Sequence, residues 1–402
     1  MEQGKRIQEN IKGQEMITNK WKRLLVVIPY FVPAYSYGWP IKVAYDFSIE
    51  LIKKWYEVTV VTTDALDAKN RIEKLEETID WIRIIRFRNV SNYLAKFHNL
   101  YLPRGMKKWL SKHVKEYDIV HIHDILNIPA LLWSYYARKN NVKYFLHPHG
   151  ILSDTRIWAK KSWVKKMFLE LFQWMLDDAS TIFALTKQEE REVKKYTKNK
   201  NIYVLPNWID LKEFENIPEI DLRKKYWLDK DIVIFSFIWR IQYIKWLDIA
   251  FKLLSEYDKI NSNWRYLVIW PDEWEKDKLV NLAKELWISE KIIWYWISTW
   301  KEKYSLLKAS DMFLFTSRAE WFPMTILEAL WCWLPVFISE WCNFPEVDGV
   351  VGIEIKNQAI WNNLKLTSFT SCLGLYKKWI NKFLQFYKLQ NIIALLLEEY
   401  RL

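Results

Sequence analysis

The sequence predicts an α/β protein built from two Rossmann-like domains, each a doubly wound parallel sheet. Short apolar runs rich in Val and Ile alternate with stretches of helical apolar spacing along most of the chain. The alternation runs once to about residue 205 and begins again near residue 231, and 402 residues is ample length for two such cores. The expected domains are therefore 22–205 and 206–384.

In chain order, LLVVIPYFVP (24–33) has the unbroken apolar character of a buried parallel strand running into a loop, and PIKVAYDFSIELIKK (40–54) has helical spacing. EVTVVTTD (57–64), IRIIRF (82–87), DIVHIHD (118–124) and KYFLHPHG (143–150) are further β-rich runs, with a helix expected over 127–139. TIFALT (181–186) and IYVLPN (202–207) close the first set, and LPNWID marks the join. The second set opens with DIVIFSFI (231–238), followed by helix 246–257, strand 265–270, helix 275–286, strand 291–296, helix 301–309, strand 312–317 and helix 324–331. NKFLQFYKLQNIIALLLEEYRL (381–402) is amphipathic and helical, whereas 353–372 has no clear pattern.

Composition narrows the function. Three cysteines without paired or CxxC spacing make neither a disulfide framework nor a thiolate zinc site, so a reducing compartment is expected. No stretch reaches the roughly 18 apolar residues of a membrane span, and the first residues carry no signal-type apolar region, so a cytoplasmic chain is expected. Lys and Arg total 60 against 48 Asp and Glu, a net charge of +12 that favours anionic partners.

The anomaly is 26 tryptophans against 8 glycines. Glycine ordinarily makes up about 7% of a chain, far more than it does here, and the tryptophans make up the deficit. Trp208 in LPNWID, Trp39 in YGWP, Trp55 in KKWYEV, and Trp331 with Trp333 in EALWCWLP fall where turns and helix ends call for glycine. The reading that accounts for this is a gene whose UGA codons mean glycine and were translated as tryptophan.

Two constellations carry chemistry. Arg240 and Lys245 follow the first strand of the second domain, at the carboxyl end where open α/β sheets bind ligands, and two cations there suit a diphosphate. In SRAEWFPMTILEALWCWLPVF (317–337), Pro323 opens a helix whose first amides, around Met324 and Thr325, form an anion site at the positive dipole end. Glu328 is then placed to accept from ribose hydroxyls and Glu320 from a sugar hydroxyl. His121 with His123 and Asp124, and His147 with His149, put imidazoles on strand faces in zinc-like spacing, but cleft-facing strand ends are the expected reading. The Asp229–Asp231 pair lies in a polar turn, and no metal site is expected.

SRAEWFPMTILEALWCWLPVFISEWCNFPEV, FIWRIQYIKWLD, LVIWPDEW, VLPNWID, HPHG and PAYSYGWP together resemble the retaining family-4 glycosyltransferases, with the suspect tryptophans read as glycine. The resemblance covers about residues 23–350 in order. It implies a GT-B fold, two Rossmann-like domains facing each other across a cleft, with the C-terminal helix at about 385–402 completing the first, acceptor domain. It implies transfer of a sugar from a nucleotide-diphosphate donor to a glycan or lipid-linked acceptor with retention, without metal and with no cofactor beyond the donor substrate. Arg240 and Lys245 would then hold the diphosphate, Glu328 the ribose, and Glu320 with the amides of Met324 and Thr325 the transferred sugar. His149 would touch the donor sugar or its phosphate, and Gly38 with Trp39 would shape the facing loop. An indole at Trp39, Trp239 or Trp321 would occupy donor space.

Two other classes compete. A sugar-nucleotide epimerase of the same architecture would form product from donor alone. A non-enzymatic basic protein would bind nucleic acid or a membrane surface, and KKWLSKHVKEYD and RIWAKKSWVKKMF mix basic with aromatic residues. No nucleic-acid module is recognised, so docking at the inner face of an anionic membrane is the expected use of these helices.

Overall fold

The computed structural model describes residues 21–38, 40–153, 162–238, 241, 243–269, 275–296, 299–318, 320–342, 344, 352–355, 380 and 383–401. They fall into two compact units, Met1–His147 with Asp178–Ser180, and Pro148–Asp177 with Thr181–Leu402. The described strands make one sheet of eight and one of six.

The first unit supplies β1 (Lys22–Val27), β2 (Tyr56–Thr63), β3 (Glu76–Ile79), β4 (Ile82–Phe87), β5 (Ile119–His123) and β6 (Lys143–His147), side by side in the order β3-β4-β2-β1-β5-β6. β1 is central, paired in parallel with β2 through Leu24 and Val58 and with β5 through Leu24 and Ile119. A strand covered on both faces has no use for polar side chains, and Leu24, Leu25 and Val26 are fully buried. The helix Pro40–Lys53 lays Ile41, Ala44, Phe47 and Leu51 against the sheet on a single stripe. The helix Ile128–Lys139 starts where the Asn127 side chain accepts the Ala130 amide at 2.9 Å, with Pro129 in its first turn.

β3 departs from the all-parallel expectation. It runs antiparallel to β4 and joins it through the two residues Asp80 and Trp81. Its Glu-Glu-Thr-Ile sequence is half exposed, which is tolerable only at a sheet edge.

In the second unit β7 (Thr181–Ala184) and β8 (Ile202–Val204) pair in parallel and belong to the eight-stranded sheet. The six-stranded sheet runs β11 (Ile292–Tyr295), β10 (Trp264–Ile269), β9 (Val233–Ile238), β12 (Met312–Phe315), β13 (Val336–Ser339) and β14 (Gly352–Ile355), every pairing parallel. Its helices are Leu247–Asp258, Lys276–Glu285, Trp300–Lys308 and Met324–Trp331, one after each of β9 to β12. Phe235, Phe237, Phe251 and Tyr266 are buried in this core, each side chain worth about 1.5–3 kcal/mol of transfer free energy. Trp264 is wholly buried and directs its indole N–H to Asp258 at 2.9 Å.

Both sheets are doubly wound. In the second, the chain goes outward from β9 through β10 to β11, then returns to β12 on the other side of β9 and proceeds to β14. The order therefore reverses between β9 and β12, and ligands of such sheets bind outside the carboxyl ends at that point. The C-terminal helix Leu389–Arg401 is tied to β7 by Glu399, whose carboxylate accepts the Thr181 hydroxyl at 3.1 Å. Among the described residues no helix is long and apolar enough to cross a membrane.

Candidate functional site

Lys245 ends the short turn Tyr243–Lys245 that follows β9, and Glu320 lies on the loop that follows β12. They meet at the sheet's reversal point: Nζ of Lys245 stands 2.5 Å from Oε1 of Glu320, with the two side chains 7% and 11% exposed. The same carboxylate oxygen lies 2.8 Å from the Ser317 hydroxyl, and the Glu320 amide donates to the Trp341 carbonyl at 3.0 Å. An ammonium so deeply placed needs its counter-charge, because desolvating one ion alone costs several kcal/mol. Arg318, next along the loop, stacks its guanidinium 3.7 Å above the Tyr243 ring and pairs with Asp248 at 3.1 Å, locking the β9 and β12 loops together. Arg240, the expected second cation, and Trp39 lie outside the described residues.

The helix Met324–Trp331 starts at Pro323, which serves as its N-cap and contributes no side-chain hydrogen bond. The first amides of a helix, here those of Met324 and Thr325, have no acceptor within the helix. They point out of the same reversal point, with the positive end of the helix dipole. Glu328 is one turn further in. A helix-surface glutamate is ordinarily solvated, but this one is buried: Oε1 takes Lys303 Nζ at 2.6 Å, with both side chains 2% exposed, and lies 3.4 Å from the Tyr304 hydroxyl. Lys303 was not legible as a site residue, since a lysine inside KEKY on a helix gives no signal of burial.

His149 and Gly150 form the turn after β6, at φ of 53° and 75°. β6 ends at His147, so His147 and His149 do not share a strand face as their spacing implied. The turn is held by Glu189, buried at 2% exposure, which accepts the Gly150 amide at 2.6 Å and the Leu185 amide at 2.7 Å. The Thr186 hydroxyl accepts the Glu189 amide at 3.1 Å. Thr-x-x-Glu is a capping-box signature, so this residue could have been found from sequence, though its carboxylate serves two loops instead of its own helix. Gly150 also faces the Glu320 loop: a Cβ there would lie 1.7 Å from Cδ1 of Trp321. Gly38, at φ 108°, follows the turn Tyr35–Tyr37 in the first unit.

The histidines of β5 and β6 gather beneath the helix Pro40–Lys53. His121, His123 and His147 are buried, and their ligand atoms lie within 4.8 Å of one another. The rings stack: His121 on His123 at 4.5 Å and 30°, His123 on His147 at 5.5 Å and 25°, with Phe47 4.8 Å from His121. His121 and His147 are tilted to each other by 55° at 5.8 Å. In the second unit Cys342, just after β13, has its thiol pushed up to about 12 by burial and then by the charge of Glu320, so it is no thiolate nucleophile.

The comparisons with known proteins follow the same division. The family model Glycosyltransferase Family 4 matches residues 42–213, and Glycosyl transferases group 1 matches residues 219–360. An O-antigen biosynthesis glycosyltransferase, WclY of Escherichia coli, is 25% identical over 235 residues, 57% of this chain and 63% of that protein. A UDP-Gal:alpha-D-GlcNAc-diphosphoundecaprenol alpha-1,3-galactosyltransferase of Escherichia coli is 26% identical over 257 residues, 60% of this chain and 63% of that protein. The matches thus span just under two thirds of these relatives. Among solved structures, HepE of Anabaena in complex with UDP and glucose covers 94% of this chain and 99% of its own, at 16% identity and a TM-score of 0.69. Sucrose-phosphate synthase of Thermosynechococcus elongatus covers 94% of this chain and 98% of its own, at 15% identity and a TM-score of 0.70.

Proposed function

This chain pairs a Glycosyltransferase Family 4 half with a Glycosyl transferases group 1 half on a GT-B fold, and on that footing we propose that it is a glycosyltransferase. It moves a sugar from a nucleotide-diphosphate donor to a glycan or lipid-linked acceptor. The observation that carries this reading is the Lys245–Glu320 pair at the reversal point of the second sheet, with the helix Met324–Trp331 beginning four residues after Glu320. Departure of the diphosphate concentrates negative charge, and fixed cations with a helix N-terminus stabilise such charge. Lys245 and Arg240 act on the phosphates with the amides of Met324 and Thr325; Glu328 takes the ribose hydroxyls, and Glu320 the sugar. His149 bears on the donor from the turn that Glu189 fixes, and Gly38 with Trp39 shapes the loop of the first unit.

The relatives support the donor and acceptor classes: one is named for UDP-Gal and a diphosphoundecaprenol acceptor, and HepE was solved with UDP and glucose. We place transfer with retention of configuration and without metal or added cofactor. We assign membrane docking to KKWLSKHVKEYD, whose helix Met106–His113 exposes Lys107, Lys108 and Lys112. RIWAKKSWVKKMF lies largely outside the described side chains.

The experiment is a screen of UDP-, GDP- and ADP-sugars with undecaprenyl-linked and free glycan acceptors, in EDTA, with the product anomer read by NMR. An acceptor-dependent product of unchanged anomeric configuration is expected. Product from donor alone would make the protein an epimerase, and loss of turnover in EDTA would overturn metal independence.

A further inference from the structure

We infer that Trp55, Trp81, Trp227, Trp246, Trp287 and Trp333 stand at positions the working protein fills with glycine, and that Trp321 is a seventh whose replacement opens the donor site. The first part rests on backbone geometry alone; the donor clause rests on the glycosyltransferase reading.

Among the described residues, twelve that are not glycine have positive φ. Six are Asp80, Asn99, Asp124, Asn141, His149 and Asn216, the residue types that tolerate the left-handed region. The other six are all tryptophan, at φ from 50° to 69°. For a bulky side chain such a conformation is a genuine outlier, and nothing about an indole favours it.

At three of the six sites the hydrogen bonds say which residue the backbone is built for. At the end of the helix Met324–Trp331, the Leu334 amide reaches back to the Ala329 carbonyl at 3.0 Å and the Trp333 amide to Leu330 at 2.9 Å. This pair of bonds is the Schellman motif, whose left-handed residue is usually glycine, sometimes asparagine. It recurs after Lys276–Glu285, with Ile288 to Ala283 at 3.0 Å and Trp287 to Lys284 at 3.1 Å. It recurs after Leu222–Lys225, with Leu228 to Arg223 at 2.8 Å and Trp227 to Lys224 at 3.5 Å. After Ile128–Lys139 the same motif holds the expected alternative, Asn141, with Val142 to Ala137 at 3.0 Å and Asn141 to Arg138 at 3.2 Å. Asp80 and Trp81 form the two-residue connection of β3 to β4 with φ of 47° and 69°. Two positive values there make the type I′ hairpin turn, for which Asp-Gly is a preferred pair.

Burial does not compensate three of these tryptophans. Trp227 and Trp287 are 92% and 91% exposed, and Trp81 is 64% exposed. Other tryptophans are of a different kind: Trp133 and Trp264 are fully buried and have no positive φ. One amino acid in the sequence therefore covers two physical roles, as it would if UGA codons meaning glycine and UGG codons meaning tryptophan were written with one letter.

Trp321 has no positive φ and is assigned only by the space it fills: its indole lies against the bare backbone of Gly150, where a Cβ would come 1.7 Å from Trp321 Cδ1. With glycine at 321, that space opens directly beside Glu320 and its partner Lys245.

Peptide mass spectrometry of the protein purified from its source tests the assignment. Glycine is expected at the seven positions and tryptophan at Trp133 and Trp264; tryptophan at the six positive-φ sites overturns it. Recombinant variants supply a second readout. Replacing the six by glycine together should raise the urea midpoint, whereas Trp133→Gly or Trp264→Gly should lower it, and a lower midpoint for the six contradicts the geometric argument. Trp321→Gly should raise affinity for a nucleoside diphosphate at least tenfold. Glycine in the peptides with no such gain overturns the donor clause alone, and no nucleotide binding by either form counts against the glycosyltransferase reading instead.

Discussion

Replacing Lys245 by methionine keeps the length and the apolar stem of the side chain and removes only the ammonium. Glu320 then keeps its carboxylate, with its side chain 11% exposed and the Ser317 hydroxyl at 2.8 Å, but loses the Lys245 ammonium. Breaking a buried pair by removing one partner costs about 3–5 kcal/mol, and the surviving hydroxyl places Lys245→Met at the lower end. The double variant Lys245→Met with Glu320→Gln has no uncompensated charge and should recover most of the loss. The assay is urea denaturation of all four members of the cycle, followed by calorimetric titration with nucleoside diphosphate. If Lys245 also binds the donor, the double variant regains stability but not affinity, which stays down by roughly ten- to hundredfold, the worth of a charged hydrogen bond. Additive effects on stability within about 0.5 kcal/mol would show that the two groups are not coupled, and the argument would fall.

Three further outcomes follow from the same geometry. Glu189→Ala should destabilise by about 3 kcal/mol, since two charge-assisted bonds to buried amides are lost, and hydrogen exchange at Gly150 and Leu185 should accelerate; unchanged exchange would remove Glu189 as the anchor of that turn. Lys303→Met and Glu328→Gln should each cost about 3–5 kcal/mol, because either removes one member of an ion pair whose side chains are both 2% exposed; small losses in urea midpoints would argue that Glu328 is solvated. Burial first, then the charge of Glu328 for Cys332 and of Glu320 for Cys342, pushes both thiols from 9.0 up to about 12. A thiol whose folded value is raised holds its proton in the folded state, so its contribution is fully present below pH 9 and is lost as pH rises toward 12. Alkylation of either cysteine in the folded protein at pH 8 would contradict this.

Much of the fold was legible because central parallel strands are largely apolar on both faces, as Leu24 to Val27 are and, but for Ser236, Val233 to Ile238. β3 escaped because Glu-Glu-Thr-Ile at an exposed edge carries little hydrophobic signal. Lys245, Glu320 and the helix start at Met324 were placed correctly relative to their strands, since the carboxyl end of a parallel strand is fixed once the strand is found. Their direct contact was not legible: it joins residues 75 apart in sequence through the reversal of strand order. Burial of Glu328 was missed for a related reason, because its partner Lys303 sits on a different helix. The histidines of β5 and β6 were expected at strand ends, and His123 and His147 do end their strands; their stacking on one another and against Phe47 was not legible, since it depends on the β5 to β6 register.

The most direct measurement is a crystal structure of the protein from its source, soaked with the nucleoside diphosphate that shifts its melting temperature. The account requires the diphosphate at the carboxyl ends of β9 and β12, within hydrogen-bond distance of Lys245 Nζ and the amides of Met324 and Thr325. Nucleotide bound elsewhere, with Lys245 still paired to Glu320, would contradict it.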